Sequence, residues 1–152
     1  MIRVEAERTV SAQPSVVSAF LSEYRENRPK ILPPNYENYT VVEGGRGSGT
    51  VITYVLRAGG RQRPYEMHVQ QQGDQVIEER DARSSLVTTW RVAPAGTDQS
   101  RVTVTTVWQG GSGVGGFFER TFAPGGVRRI YDDMLRRLDQ KVATSGTQHV
   151  AR

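Results

Sequence analysis

Seven apolar residues near the end of the chain recur at steps of three and four: Val127, Ile130, Tyr131, Met134, Leu135, Leu138 and Val142. That spacing lays one apolar stripe along a long helix. The opposite face carries Arg128–Asp132, Arg129–Asp133, Asp132–Arg136 and Asp133–Arg137 at i,i+4, the spacing of surface ion pairs. The stripe must be covered, and no second long helix is available to cover it. Upstream, from Tyr36 to Gln109, the pattern is one of strands in series with glycine-rich or polar turns between them. Only their shared apolar face can take the helix.

The strands read by period two. At the start, Ile2, Val4, Ala6 and Val10 share a face opposite Arg3, Glu5, Glu7 and Thr9. Pro14 then suits the first turn of a helix that carries Val17, Phe20, Leu21 and Tyr24. A second short helix is expected around Tyr24–Leu32, interrupted by Pro29 and ended by Pro33-Pro34. Next, VVEGGRGSGTVITYVL holds two strands about a glycine hairpin, and AGGRQRP makes another hairpin. The inward sets are Ile52, Tyr54 and Leu56; Tyr65, Met67 and Val69; Leu86, Thr88, Trp90 and Val92; and Val102, Val104, Thr106 and Trp108. VIEERD is ambiguous: Glu78 falls among the apolar positions if Val76 points in, and Glu79 if Ile77 does. Strands joined in sequence by short loops make an antiparallel meander rather than a βαβ sheet.

The fold expected is therefore α+β: a curved antiparallel sheet wrapped around a long C-terminal helix, with two short helices after the first strand. One domain spans residues 1–143, and residues 144–152, TSGTQHVAR, read as a disordered tail. Pro124-Gly125-Gly126 predicts a kink or helix break upstream of the stripe, after a Phe118/Phe122 pair at i,i+4.

In this order and length the chain resembles the START-like, or SRPBCC, superfamily of helix-grip proteins, in its polyketide cyclase/dehydrase-like branch. The similarity covers roughly residues 2–142. It rests on the opening strand with SAQPSVVSAFLS, on GRGSGTVITYVLRAGGR, and on GFFERTFAPGGVRRIYDDMLRRLDQKV. The resemblance implies a cavity between sheet and helix that holds an apolar small molecule. It carries over no catalytic residue, because no catalytic motif runs through the whole superfamily.

Composition narrows the chemistry. The 152 residues contain no cysteine and only His68 and His149, so no disulfide, thiolate metal site or cofactor is expected. The net charge is +4, carried almost wholly by arginines that alternate with acids. No basic block marks a nucleic-acid partner. No apolar run reaches the length of a membrane span, and the start has no signal-peptide pattern. A cytoplasmic protein is expected.

Residues 110–116, GGSGVGG, fit G-x-G-x-x-G at Gly111, Gly113 and Gly116. A dinucleotide loop also needs a parallel strand after its helix, ending in an acid for the ribose. Here the helix is the last element, so the glycines read as the joint between sheet and helix. The large inward residues are the better candidates. Tyr54, Tyr65, Met67, Trp90, Trp108, Phe118, Phe122, Tyr131 and Met134 either fill an ordinary core or line a ligand pocket. Buried Tyr and Trp need partners for their polar atoms, and one helix on a wrapped sheet leaves space. Glu78 is the candidate polar group of that pocket, against the plainer reading of a surface ion pair. Arg46, Arg57, Arg61 and Arg63 either guide an anionic ligand to the mouth or keep hairpin edges from aggregating. His68 lies on the outer face without a triad partner.

Three functions follow from this reading: binding of a hydrophobic or aromatic small molecule of polyketide or lipid type; a polyketide cyclase or aromatase; or a regulatory, toxin-like protein partner. The scarcity of inward polar residues favours binding.

Overall fold

The structure, a computed structural model, describes residues 1–109 and 123–150, with side chains through residue 143. Seven strands form one antiparallel sheet: β1 (Ile2–Val10), β2 (Tyr36–Glu43), β3 (Val51–Ala58), β4 (Arg61–Gln72), β5 (Val76–Asp81), β6 (Val87–Pro94) and β7 (Ser100–Trp108). Their spatial order is β1-β7-β6-β5-β4-β3-β2. From β2 to β7 the sheet is a meander, and β1 returns to pair with β7 in register from Ile2↔Trp108 to Val10↔Ser100. Helix α1 (Pro14–Leu21) follows β1, and α2 (Pro124–Val150) is the long C-terminal helix.

All seven residues of the helical stripe are buried, with Leu138 wholly inaccessible. Each such side chain contributes about 1.5–3 kcal/mol by leaving water, so the stripe is what fixes α2 in the sheet. Asp139 adds a polar tie: its carboxylate accepts from Arg8 Nε and from the Ser11 amide, both at 3.1 Å. On the far face Asp133 takes Arg137 at 3.2 Å and also Arg136, one residue nearer along the chain.

One expectation changes in detail. The segment after α1 is not a second α-helix. It runs through turns into a single 3-10 turn at Arg28–Ile31, because Pro29 lacks the amide a longer helix would need. Pro124 opens α2 at its first turn, where its missing N–H costs nothing, and the Gly126 and Val127 amides both reach back to the Ala123 carbonyl. The backbone of α2 is helical to Val150, beyond the sequence-based boundary at residue 143, although the apolar stripe ends at Val142. The run GGSGVGG, Phe118 and Phe122 lie outside the described residues.

The hairpin between β2 and β3 needs its glycines. At Gly44, φ is +68°, and a Cβ there would lie 2.9 Å from the Thr50 backbone. This loop is anchored to the end of α1 by two backbone bonds, Tyr24 N to Gly45 O at 2.8 Å and Gly47 N to Ser22 O at 2.9 Å. It therefore fixes Tyr24 and Arg28 against the sheet.

Candidate functional site

Within the wrap, a cavity opens between the β2–β4 side of the sheet, β7 and the first turns of α2. Its lining among the described residues includes Tyr36, Tyr54, Tyr65, Arg63, Thr106, Trp108 and Tyr131, with Leu56, Met67, Leu86 and Val127. The first two turns of α2 supply Val127 and Tyr131 as helical neighbours. Period-two alternation supplies Tyr54 and Leu56 from β3, and Arg63, Tyr65 and Met67 from β4. Free space is about 30 Å³, on a measure in which one water needs about 10–15 Å³. A ligand larger than a few waters therefore requires side chains of the wall to swing outward.

Aromatic rings form the floor. Tyr36 meets Tyr54 edge-on at 5.0 Å between centroids, and Tyr54 stacks on Tyr65 at 5.5 Å and 27°. The Tyr36 hydroxyl lies 3.4 Å from Met134 Sδ. The Tyr131 hydroxyl lies 2.6 Å from Thr106 Oγ1, itself 2.7 Å from Thr88 Oγ1. Burial pushes the Tyr36, Tyr54 and Tyr131 phenols above their ordinary value. Tyr65 rises to about 12, with the Arg63 cation opposing the effect of burial. At neutral pH the cavity thus presents neutral phenols.

Two buried ion pairs support the cavity, one reaching its wall through Arg63 and the other standing behind it. Arg63 donates to Asp81 Oδ2 at 2.5 Å and lies 4.2 Å over the Tyr65 ring. Asp81 also accepts from Ser84 Oγ at 2.7 Å and from the Glu66 amide at 3.2 Å, so its charge is well satisfied. Glu79 accepts at 2.5 Å from both Arg28 and the Tyr24 hydroxyl, with Trp90 Nε1 at 3.4 Å. Arg28 sits over the rings of Tyr24 and Trp90 at 4.6 and 4.8 Å and donates Nε to the Leu21 carbonyl at 2.7 Å.

The sequence profile of a family described as polyketide cyclase / dehydrase and lipid transport matches residues 1–143. The chain belongs to that family. Among curated proteins none matches it in sequence. This polyketide cyclase/dehydrase and lipid-transport family member is 45% identical to the KanY protein, solved by NMR, over 93% of this chain and 97% of that one, with a TM-score of 0.83. The di-domain ARO/CYC BexL of the BE-7585A biosynthetic pathway shares the fold at 20% identity and TM-score 0.66, over 94% of this chain and 47% of that one. Norcoclaurine synthase from Thalictrum flavum, solved with dopamine and hydroxybenzaldehyde, does so at 15% identity and TM-score 0.67, over 94% and 87%.

In this family member five of the sequence candidates meet at the cavity: Tyr54, Tyr65, Met67, Trp108 and Tyr131. Trp90 and Met134 are buried but stand off its wall, Trp90 against Arg28 and Met134 under Tyr36. Glu78 is a correction. The β5 parity puts Ile77, Glu79 and Asp81 inward, and Glu78 pairs with Arg80 at 2.6 Å on the outer side. Ion pairing decides that parity, since both inward acids meet a buried arginine. Arg63 is a second correction, since it belongs to the cavity wall and not to the hairpin surface. Arg57 does stay outside, paired with Glu37 at 2.6 Å, and His68 lies exposed beside Glu66. No cluster of metal-ligating side chains occurs among the described residues, and no described helix is long and apolar enough to cross a membrane.

Proposed function

We propose that the protein binds a flat, oxygen-bearing aromatic or polyketide-like molecule in the cavity between the sheet and α2. The observation that carries this reading is the convergence of Tyr36, Tyr54, Tyr65 and Tyr131 with Arg63 on one apolar cavity. Stacked and edge-on rings offer faces to a planar ligand. Phenol and guanidinium donors offer hydrogen bonds to its oxygens. The aromatic compounds in the norcoclaurine synthase structure, held by the same fold, are consistent with such a ligand.

Calorimetric titration with 2-naphthol tests this reading. Leu86 is a half-buried residue of the wall. Leu86→Trp should fill the entrance, leave the polar groups in place, and weaken 2-naphthol binding by roughly tenfold or more, the loss of about 1.4 kcal/mol. Unchanged affinity in a folded Leu86→Trp variant would move the binding site elsewhere.

A second reading, ring closure of a poly-β-ketone, draws on the same Arg63. A fixed guanidinium beside phenol donors can stabilise an enolate oxygen as it gains charge, and a closed wall would hold the chain folded for attack. Faster cyclisation of a synthetic poly-β-ketone than in buffer would support it, and no acceleration would leave binding as the function. The third reading, a protein partner, has no such support. Among the described residues the exposed large hydrophobics are Met1, Val16 and Val42, which lie on separate elements.

A further inference from the structure

Among the described residues that line the cavity, Arg63 alone carries a charge. Its counter-charge stands directly behind it. Asp81 does not reach the cavity and its side chain is wholly inaccessible, yet its Oδ2 takes the Arg63 guanidinium at 2.5 Å. The Asp81 carboxylate is fixed there by Ser84 Oγ and the Glu66 amide. The other buried pair, Arg28 with Glu79, is also matched one to one. The cavity therefore has one cation on its wall, one anion behind that cation, and no net charge.

Such a site receives an anion poorly. Burial strips a carboxylate of its water, and only an uncommitted counter-charge offsets that loss. Arg63 is committed twice, to Asp81 and to the Tyr65 hydroxyl. The phenols of the wall report the same balance, since each becomes an anion when it ionises. The Tyr65 ring lies 4.2 Å from the guanidinium. Burial still raises the Tyr65 phenol to about 12, with Arg63 opposing the rise and Asp81 adding to it. Burial raises Tyr36, Tyr54 and Tyr131 as well, and the Glu79 carboxylate adds to all three. The loss of water thus outweighs the help of Arg63 even for the oxygen beside it.

We infer that the cavity selects an uncharged ligand, and that Asp81 sets this choice by cancelling the charge of Arg63. The ligand class narrows to ketones, esters, lactones and un-ionised phenols. The corresponding carboxylic acids, ionised at neutral pH, are rejected. Asp81 acts through Arg63 and touches no ligand, so it is a specificity-determining residue placed behind the wall. A site that disfavours an entering anion also gives an enolate little help, which favours binding over ring closure. This inference rests on the cavity being the ligand site, as proposed above.

Two naphthalenes of nearly equal size test it on the full chain: the ketone 2-acetonaphthone and the carboxylate 2-naphthoate. Both are titrated by NMR at neutral pH in about 0.15 M salt, which screens the surface charges behind the net +4. Wild type should bind the ketone more tightly by roughly tenfold or more, with shifts at Tyr54, Tyr131 and Trp108. Equal or tighter binding of naphthoate in the cavity overturns the selectivity. If neither probe perturbs those three residues, the cavity reading itself fails and the inference falls with it.

Asp81→Asn then isolates the cause. Asparagine keeps the shape and an acceptor oxygen, removes the negative charge, and leaves Arg63 unbalanced. Naphthoate affinity should rise by roughly tenfold or more, while acetonaphthone affinity stays within about threefold. The wild-type ratio in a folded Asp81→Asn protein overturns the role of Asp81. Losing a buried partner also lowers the melting temperature. Naphthoate should restore more of that loss than the ketone does at the same concentration, because a ligand of the native state stabilises it. Equal or greater rescue by the ketone counts against the inference. The double variant Arg63→Gln/Asp81→Asn has neither charge and should keep the preference for the ketone. A gain in naphthoate affinity there would show that the effect does not run through Arg63.

Discussion

Raising the pH through 11 should unfold this protein in one cooperative step. The chain has six tyrosines, and burial pushes every one of them above its ordinary value: Tyr24, Tyr36, Tyr39, Tyr54, Tyr65 and Tyr131. The sign is that of acids held protonated by the fold. The unfolded chain releases these protons from about pH 10 upward, while the native state keeps them, so stability falls as pH rises above 10. Below pH 10 the contribution is complete. One pH unit beyond, each of the five phenols held furthest above the ordinary value, Tyr24, Tyr36, Tyr39, Tyr54 and Tyr65, removes roughly 1.4 kcal/mol, and the five together remove roughly 7 kcal/mol. That is comparable to the whole stability of a domain, typically about 5–15 kcal/mol. Circular dichroism and phenolate absorbance should therefore change together, near pH 11. Phenolate absorbance that rises gradually from pH 10 with the fold intact would contradict the burial of these hydroxyls.

Arg28→Met should be the most damaging of the charge deletions. Arg28 and Glu79 form a buried pair, and Arg28 also holds the Leu21 carbonyl and packs against two aromatic rings. Methionine keeps much of the stem volume and removes the cation. Glu79 is then left in the interior with the Tyr24 hydroxyl and Trp90 N–H but without its counter-charge. Removing one partner of a buried pair costs about 3–5 kcal/mol, or roughly 10 °C or more of Tm at this chain length. The double variant Arg28→Met/Glu79→Gln should recover a large part of the loss, since the stranded charge is gone. Urea denaturation of both variants measures this. A single variant within about 1 kcal/mol of wild type would mean that the pair is solvated and that Arg28 is not anchoring the 3-10 turn to β5.

Where alternation was clean, the sequence was enough. Ile52, Tyr54 and Leu56 on β3, and the stripe from Val127 to Val142, point where periodicity puts them. The charged residues were harder to place. Extending Tyr65–Met67–Val69 back by two puts Arg63 inward, and extending Ile77 forward puts Glu79 and Asp81 inward, as the fold has them. Local pattern gave no reason to bury them, because the partner of each lies on another element: 51 residues away for Arg28 and Glu79, and 18 for Arg63 and Asp81. Tyr36 escaped notice for a different reason. It opens β2, whose pairing with β3 shifts register twice and passes through Asn38 at φ 56°. Alternation fails as a guide on such a strand. Trp90 shows the converse limit, since an inward face does not say which part of the interior a side chain meets.

The ligand site is tested most directly by isotope-filtered NOEs between unlabelled 2-naphthol and the ¹³C-labelled protein. Cross-peaks to the rings of Tyr54, Tyr65 and Tyr131 and to the Met67 methyl are the predicted result, because these groups share the wall of one cavity. Cross-peaks confined to outward-facing residues, such as the exposed His68 or Gln70 on β4, would contradict it.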